Sequence, residues 1–191
     1  MTYDIILCGV GGQGILSVAA VIAQAAMDSG LEVRQSEVHG MAQRGGAVQA
    51  HLRIADADIH SDLIGLGKAD MILSMEPLEA LRYLDYLVTG GIVVSAAEPF
   101  NNIADYPEEE QVLAAVKALP RNVIVRAKDI AAQAGNPNSA NMALVGAASM
   151  YLPLGYAKIQ GALKARLGPK GVDVVEKNLK ALDLGRDGGS V

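Results

Sequence analysis

Apolar residues in this chain fall into short unbroken runs, set between turns and longer stretches in which apolar positions recur every three or four residues. Residues 5–8, IILC, form the first such run, and a strand covered on both faces reads this way. Residues 15–29 then predict a helix closed at Gly30. Ala19, Ala20, Ala23, Ala25 and Ala26 keep its surface small enough for close packing. Residues 31–36 predict a second strand. Beyond a polar loop, Val48, Ala50, Leu52 and Ile54 alternate with Gln49, His51, Arg53 and Ala55, the pattern of a strand near a sheet edge with one wetter face.

Residues 71–74 predict another strand, after which Glu76-Pro77 opens a helix with Leu78, Leu81, Leu84 and Val88 along one stripe, ended by Gly90-Gly91. Strands at 92–95 and 123–125 follow, separated by a polar link over 101–110 and a helix over 112–119. Parallel neighbours need crossovers and helices supply them, so the alternation predicts a Rossmann-like, doubly wound α/β fold, mainly parallel, with helices on both faces. From Asn136 only helices are expected, over 139–151, 159–167 and 172–182. The expected organisation is a single domain over 1–191: an α/β core over 1–135, a C-terminal helical cap over 136–185 and a frayed tail over 186–191.

Composition narrows the function classes. Net charge is −5 with the basic residues scattered, and aromatic residues make up 4% of the chain. Neither a phosphate-tracking surface nor a stacking platform for nucleic acid is expected. The longest nearly apolar stretch, 15–27, is interrupted by Ser17 and Gln24 and falls short of the roughly 20 residues a bilayer requires. No export signal is read at the N-terminus, so a cytoplasmic protein without a membrane partner is expected. The lone Cys8 excludes an intrachain disulfide and a cysteine-built cluster, and its apolar run marks it as a core residue rather than a nucleophile. His39, His51 and His60 lack the spacing and flanking carboxylates of a metal site, so none is expected, and His51 is assigned to the wet face of its strand.

Two segments stand out. Gly9, Gly11, Gly12, Gln13 and Gly14 form Gly-x-Gly-x-x-Gly between a strand and a helix, where glycines let a phosphate approach backbone N–H groups at a helix N-terminus. Close packing of strand and helix needs the same glycines, and both readings stay open. Glu37 follows at about the 20-residue distance of a ribose-binding acid, so a stand-alone NAD- or FAD-binding module is one candidate. The second segment, SEVHGMAQRGGAV at 36–48, places His39, Gly40, Met41, Gln43, Arg44, Gly45 and Gly46 in a polar, glycine-bearing loop. Arg44 there has the steric freedom to meet a carboxylate or phosphate, or to form an ordinary surface ion pair.

GVGGQGI at 9–15 and SEVHGMAQRGGAV at 36–48, with KADMILSMEPLEALR at 68–82 and the placing of Asn178, Ala181 and Gly185, resemble the gamma-type subunits of 2-oxoacid:ferredoxin oxidoreductases. Ser36, Glu37, Val38 and His39 favour the branch formed by beta subunits of indolepyruvate ferredoxin oxidoreductases. The resemblance implies an accessory subunit of an enzyme that decarboxylates an aryl 2-oxoacid oxidatively, transfers the acyl group to coenzyme A and reduces ferredoxin. Thiamine diphosphate and iron–sulfur clusters would lie in a larger partner subunit, because this chain has no thiamine motif and a single cysteine. The chain itself is then expected to hold no catalytic residue and no cofactor of its own. Gly9, Gly11, Gly12, Gln13, Gly14 and Arg44 are candidates for a coenzyme A or anion contact. His39, Gly40, Met41, Gln43, Arg44, Gly45 and Gly46 are expected at the partner interface. Whether the isolated chain forms a homodimer stays open.

Overall fold

The fold is described from a computed structural model covering residues 1–39, 45–101 and 103–188. Six strands form one sheet: β1 (Thr2–Val10), β2 (Glu32–His39), β3 (Ala47–Ala55), β4 (Ala69–Ser74), β5 (Leu87–Ala96) and β6 (Asn122–Val125). Their order is β2-β3-β1-β4-β5-β6. The pairs β1–β4, β4–β5 and β5–β6 are parallel, while β3 runs antiparallel to both of its neighbours. The mainly parallel α/β sheet is therefore present, with one antiparallel strand lying directly inside the edge strand β2.

Side chains of β1 alternate between two cores. Ile5 and Leu7 join the larger, built from α1 (Ile15–Met27), α4 (Ala127–Gln133), α5 (Ala140–Ala148), α6 (Tyr156–Leu167) and α7 (Val172–Gly188). Ile6 and Cys8 join the smaller, under α2 (Pro77–Arg82) and α3 (Glu109–Lys117). In the larger layer α5 and α7 meet backbone to backbone: a Cβ on Gly146 would stand 2.0 Å from Leu182 O, and one on Gly185 2.0 Å from Ala143 O. Only glycine permits that approach, which gives Gly185 its structural reason. Asn178 and Ala181 are buried on the same helix.

Several expectations need correction. α7 continues through Gly188, three residues into the stretch expected to fray. The Arg186 guanidinium donates to Ser149 Oγ (2.7 Å) and stacks 4.3 Å above the Tyr156 ring. The helix after Pro77 stops at Arg82, and Val88, Gly90 and Gly91 belong to β5. There Ala69 pairs with Leu87 but Met71 pairs with Ile92, so the pair carries a bulge that the double glycine accommodates. The short helix α4 was not anticipated. His51 is buried rather than wet, because residues 56–68 fold back over that face of β3. Its Nδ1 accepts from Ile64 N (2.9 Å) and its ring meets Tyr86 edge-on at 5.5 Å.

Candidate functional site at the carboxyl ends of the parallel strands

From β1 the chain crosses to one side of the sheet to form β2, and later to the other side for β4, β5 and β6. In open α/β sheets ligands bind where the winding reverses, outside the carboxyl ends of the strands. That point here lies between β1 and β4. A cavity of about 460 Å³ opens there, with walls from the turn after β1 (Gly12, Gln13, Gly14), Met75 after β4, Glu98 and Phe100 after β5, Lys128 on α4 and Asn141 on α5.

The glycine-rich turn does two kinds of work. Gly9 takes φ +154°, and a Cβ there would stand 2.9 Å from Met75 Cβ and 2.7 Å from Gln13 Oε1. Gly14 faces Asn141, whose Nδ2 would lie 2.5 Å from a Cβ. These two glycines allow close packing. Gly12, at φ +105°, has open space around the position a Cβ would occupy and faces the cavity. Gln13 spans the gap between β1 and β4: its Oε1 accepts from Val10 N (2.7 Å) and its Nε2 donates to Met75 O (3.0 Å). One backbone donor of the turn is thereby held by a side chain of the same turn.

The second segment comes to the first through strand order. Because β3 runs antiparallel beside β1, with Val10 opposite Ala47, the end of the β2–β3 hairpin arrives at the glycine turn. Gly11 N donates to Gly46 O (2.8 Å), and Gly45 N reaches toward Gly11 O (3.5 Å). Gly11, Gly45 and Gly46 are thus brought together. Gly40, Met41, Gln43 and Arg44 lie outside the described residues, and of His39 only the backbone, at the end of β2, is described. Glu37 sits on β2 opposite Ala50, so β3 separates it from β1. In a dinucleotide fold the ribose-binding acid ends the strand next to β1, and this topology withholds that position.

Glu76 is a hub that the sequence reading missed. It is 1% exposed, caps α2 by accepting from Glu79 N (2.8 Å), and accepts from Phe100 N (3.3 Å) and from the Tyr106 hydroxyl. One carboxylate therefore fixes the start of α2 and the segment after β5 that carries Phe100 to the cavity rim. Burial, and then the bond to Glu76, raises the Tyr106 phenol above its ordinary range. The sequence signal was available: a glutamate directly before Pro77 with a second glutamate three residues on is an N-terminal capping pattern. Asn141, Glu98 and Lys128 carried no comparable signal. Glu98 Oε1 accepts from Lys128 N (2.9 Å) and so occupies the start of α4.

Elsewhere, Cys8 is fully buried and burial pushes its thiol pKa up, the opposite of what a reactive thiol requires. Among the described residues no three His, Cys, Asp or Glu side chains are grouped to hold a metal. No helix among them is long and apolar enough to cross a membrane.

Comparison with known proteins agrees with this architecture. The profile of the pyruvate ferredoxin/flavodoxin oxidoreductase family matches residues 4–188. The indolepyruvate oxidoreductase subunit IorB of Pyrococcus horikoshii is 40% identical, over 96% of this chain and 94% of that protein. Among solved structures, the pyruvate oxidoreductase subunit PORC of Thermotoga maritima superposes with a TM-score of 0.73 at 22% identity, covering 97% of this chain and 96% of that one. The 2-oxoglutarate:ferredoxin oxidoreductase of Magnetococcus marinus, solved with 2-oxoglutarate, coenzyme A and succinyl-CoA bound, superposes with a TM-score of 0.77 at 22% identity. It is matched over 97% of this chain but only 30% of that longer one. At such identities the two structures show a shared fold. The match of the family profile to almost the whole length, with the 40% identity to IorB, establishes that the chain belongs to the pyruvate ferredoxin/flavodoxin oxidoreductase family.

Proposed function

We propose that this chain is the accessory subunit of a cytoplasmic 2-oxoacid ferredoxin oxidoreductase acting on indolepyruvate or another arylpyruvate. The assembled enzyme would convert the oxoacid and coenzyme A to an acyl-CoA and carbon dioxide and pass two electrons to ferredoxin. The observation that carries this reading is the 36–40% identity, over nearly the whole length, with subunits named for indolepyruvate oxidoreductase.

The residues present do not fit the redox groups such chemistry requires. One buried cysteine with a raised pKa cannot ligate an iron–sulfur cluster, and among the described residues no three His, Cys, Asp or Glu side chains are grouped around a metal position. Those groups belong, in this reading, to a larger partner subunit. This chain supplies a surface: the turn at Gly9, Gly11, Gly12, Gln13 and Gly14, tied to Gly45 and Gly46, faces the partner and helps to form the coenzyme A entrance. In the same reading His39, Gly40, Met41, Gln43 and Arg44 contribute to the partner contact, with Arg44 as the candidate anion contact.

Coexpression with the thiamine- and cluster-bearing subunit tests the reading. Ferredoxin reduction dependent on indolepyruvate and coenzyme A is expected from the pair and from neither chain alone. Turnover by this chain alone, or full activity of the larger subunit without it, would overturn the assignment. Arg44→Ala should leave folding nearly intact while weakening assembly or raising the KM for coenzyme A.

A further inference from the structure

The segment between β3 and β4 spends its apolar residues unevenly. β3 ends at Ala55, opposite Thr2, so residues 56–68 leave the sheet at the end remote from the glycine turn and then fold back over His51. Ile64 faces inward, 3% exposed, but Leu63 and Leu66 on either side of it are 58% and 66% exposed. The backbone that carries them is anchored. Arg53 donates to Ser61 O and Leu63 O, His51 Nδ1 accepts from Ile64 N, and Gly67 N donates to Asp85 O (2.8 Å). Directed bonds thus hold two leucines out in water as a preformed apolar surface.

Val38 adds to the same side of the sheet. In the β2–β3 register Ser36 lies opposite His51 and Val38 opposite Gln49, so Val38, 53% exposed, stands on the face over which residues 56–68 fold. It directly precedes His39, where the proposed partner contact begins.

Charge decides between occupants. Asp62 directly precedes Leu63 and Asp58 lies four residues before Asp62; both are exposed and neither has an ion pair with a described residue. Lys68 is the one lysine or arginine of the segment. A second copy docking through this patch would set the aspartates against themselves, because a twofold contact is self-complementary. An apolar patch with an acidic rim instead fits a different protein, one with an apolar hollow rimmed by lysine or arginine. In the Magnetococcus marinus oxidoreductase a domain of this fold is 30% of a longer chain, so further protein is joined to it there.

We infer that Leu63, Leu66 and Val38, with Asp58 and Asp62, form a second docking surface for the larger subunit, seated on an apolar hollow with a basic rim. This docking rests on the accessory-subunit reading, and it gives the partner a foothold separate from the glycine turn.

Titration of the full chain against the purified thiamine- and cluster-bearing subunit, at low and at physiological salt, provides the test. The Leu63→Ser/Leu66→Ser variant should raise the Kd about tenfold or more. Both side chains are exposed, so its melting temperature should not fall. The Asp58→Asn/Asp62→Asn variant should raise the Kd about threefold at low salt and flatten its salt dependence. Met150→Ser, a comparably exposed residue beside β6, should leave the Kd unchanged. No complex with the unaltered chain would overturn this docking and the accessory-subunit reading together. A complex whose Kd is the same with the leucine variant, or is raised equally by Met150→Ser, would overturn the docking surface alone. Self-association of the isolated chain that the leucine variant abolishes would assign the patch to a second copy and overturn it as well.

Discussion

The two faces of the sheet are covered in different ways. The larger face carries five helices whose inward surface is almost wholly apolar, and at its tightest point α5 and α7 touch through Gly146 and Gly185. Among the described residues the smaller face is covered by α2, of six residues, α3, of nine, the 3₁₀ turn Leu84–Tyr86 and the folded-back segment 56–68. Buried polar groups hold that cover in place. Arg53 makes a two-point contact with Asp4 (2.9 and 3.0 Å) and donates to Ser61 O and Leu63 O. His51 accepts from Ile64 N, Glu76 pins α2, and Glu79 lies beside it with Oε2 buried and unpaired. Where five helices pack side by side, hydrophobic burial seals the sheet. Where two helices leave part of the face to loops, those loops are held by directed bonds, and titratable groups become part of the cover.

The contrast predicts that one face is sensitive to volume and the other to charge and pH. The largest effects test the seals themselves. Gly146→Ala or Gly185→Ala places a Cβ against backbone that has nowhere to move, so either should cost about 3 kcal/mol in urea unfolding, with no dependence on pH. A cost below about 0.5 kcal/mol would show that α5 and α7 are not closely seated. Arg53→Ala should cost a similar amount, about 3 kcal/mol, because it leaves the Asp4 carboxylate buried without a counter-charge.

The smaller effects separate the two directions of pH. Burial raises the Glu79 pKa, against the lowering effect of Arg82. Its contribution is therefore fully present below the ordinary carboxylate range and is lost as pH rises through the folded-state value. Glu79→Gln should flatten the decline in stability as pH rises above the ordinary carboxylate range; an unchanged decline would remove Glu79 from the account. His51 has the opposite sign. Burial lowers its pKa, so its contribution is present above the ordinary histidine range and is lost on acidification, when Nδ1 can no longer accept from Ile64 N. Protection of the Ile64 amide, measured relative to its intrinsic exchange rate, should therefore fall as pH drops below the ordinary histidine range, ahead of protection in α5. Smallest of all, Gly12→Ala meets no neighbour and should cost only about 1 kcal/mol of backbone strain. At Gly9 the same change adds contacts with Met75 and Gln13 and should cost more.

Much of the fold was legible because its signals are local. The run at 5–8, the glycines after it and the alanine-rich helix over residues 15–27 announce a strand–turn–helix without reference to the rest of the chain. The resemblance to the oxidoreductase family rested on the same contiguous stretches. α4 was missed because seven residues, AKDIAAQ, give under two turns of periodicity. The helix after Pro77 was read too long because Leu84 and Val88 continue its stripe, although they pack from a 3₁₀ turn and from β5. The tail was read as frayed because chain termini generally are, and nothing local announces the Arg186 contacts with Ser149 and Tyr156.

The sequence by itself therefore determined the elements, the winding rhythm and the two glycine-bearing motifs, since backbone preference and hydrophobic period act within a few residues. The tertiary structure decided how they meet. It set β3 between β1 and β2, which joins Gly11 to Gly46 and keeps Glu37 away from the glycine turn. It also buried His51 under residues 56–68 and closed the gap beside Gly9 with Gln13. Strand order and burial arise from pairings between distant segments, and those pairings leave no local signature in the chain.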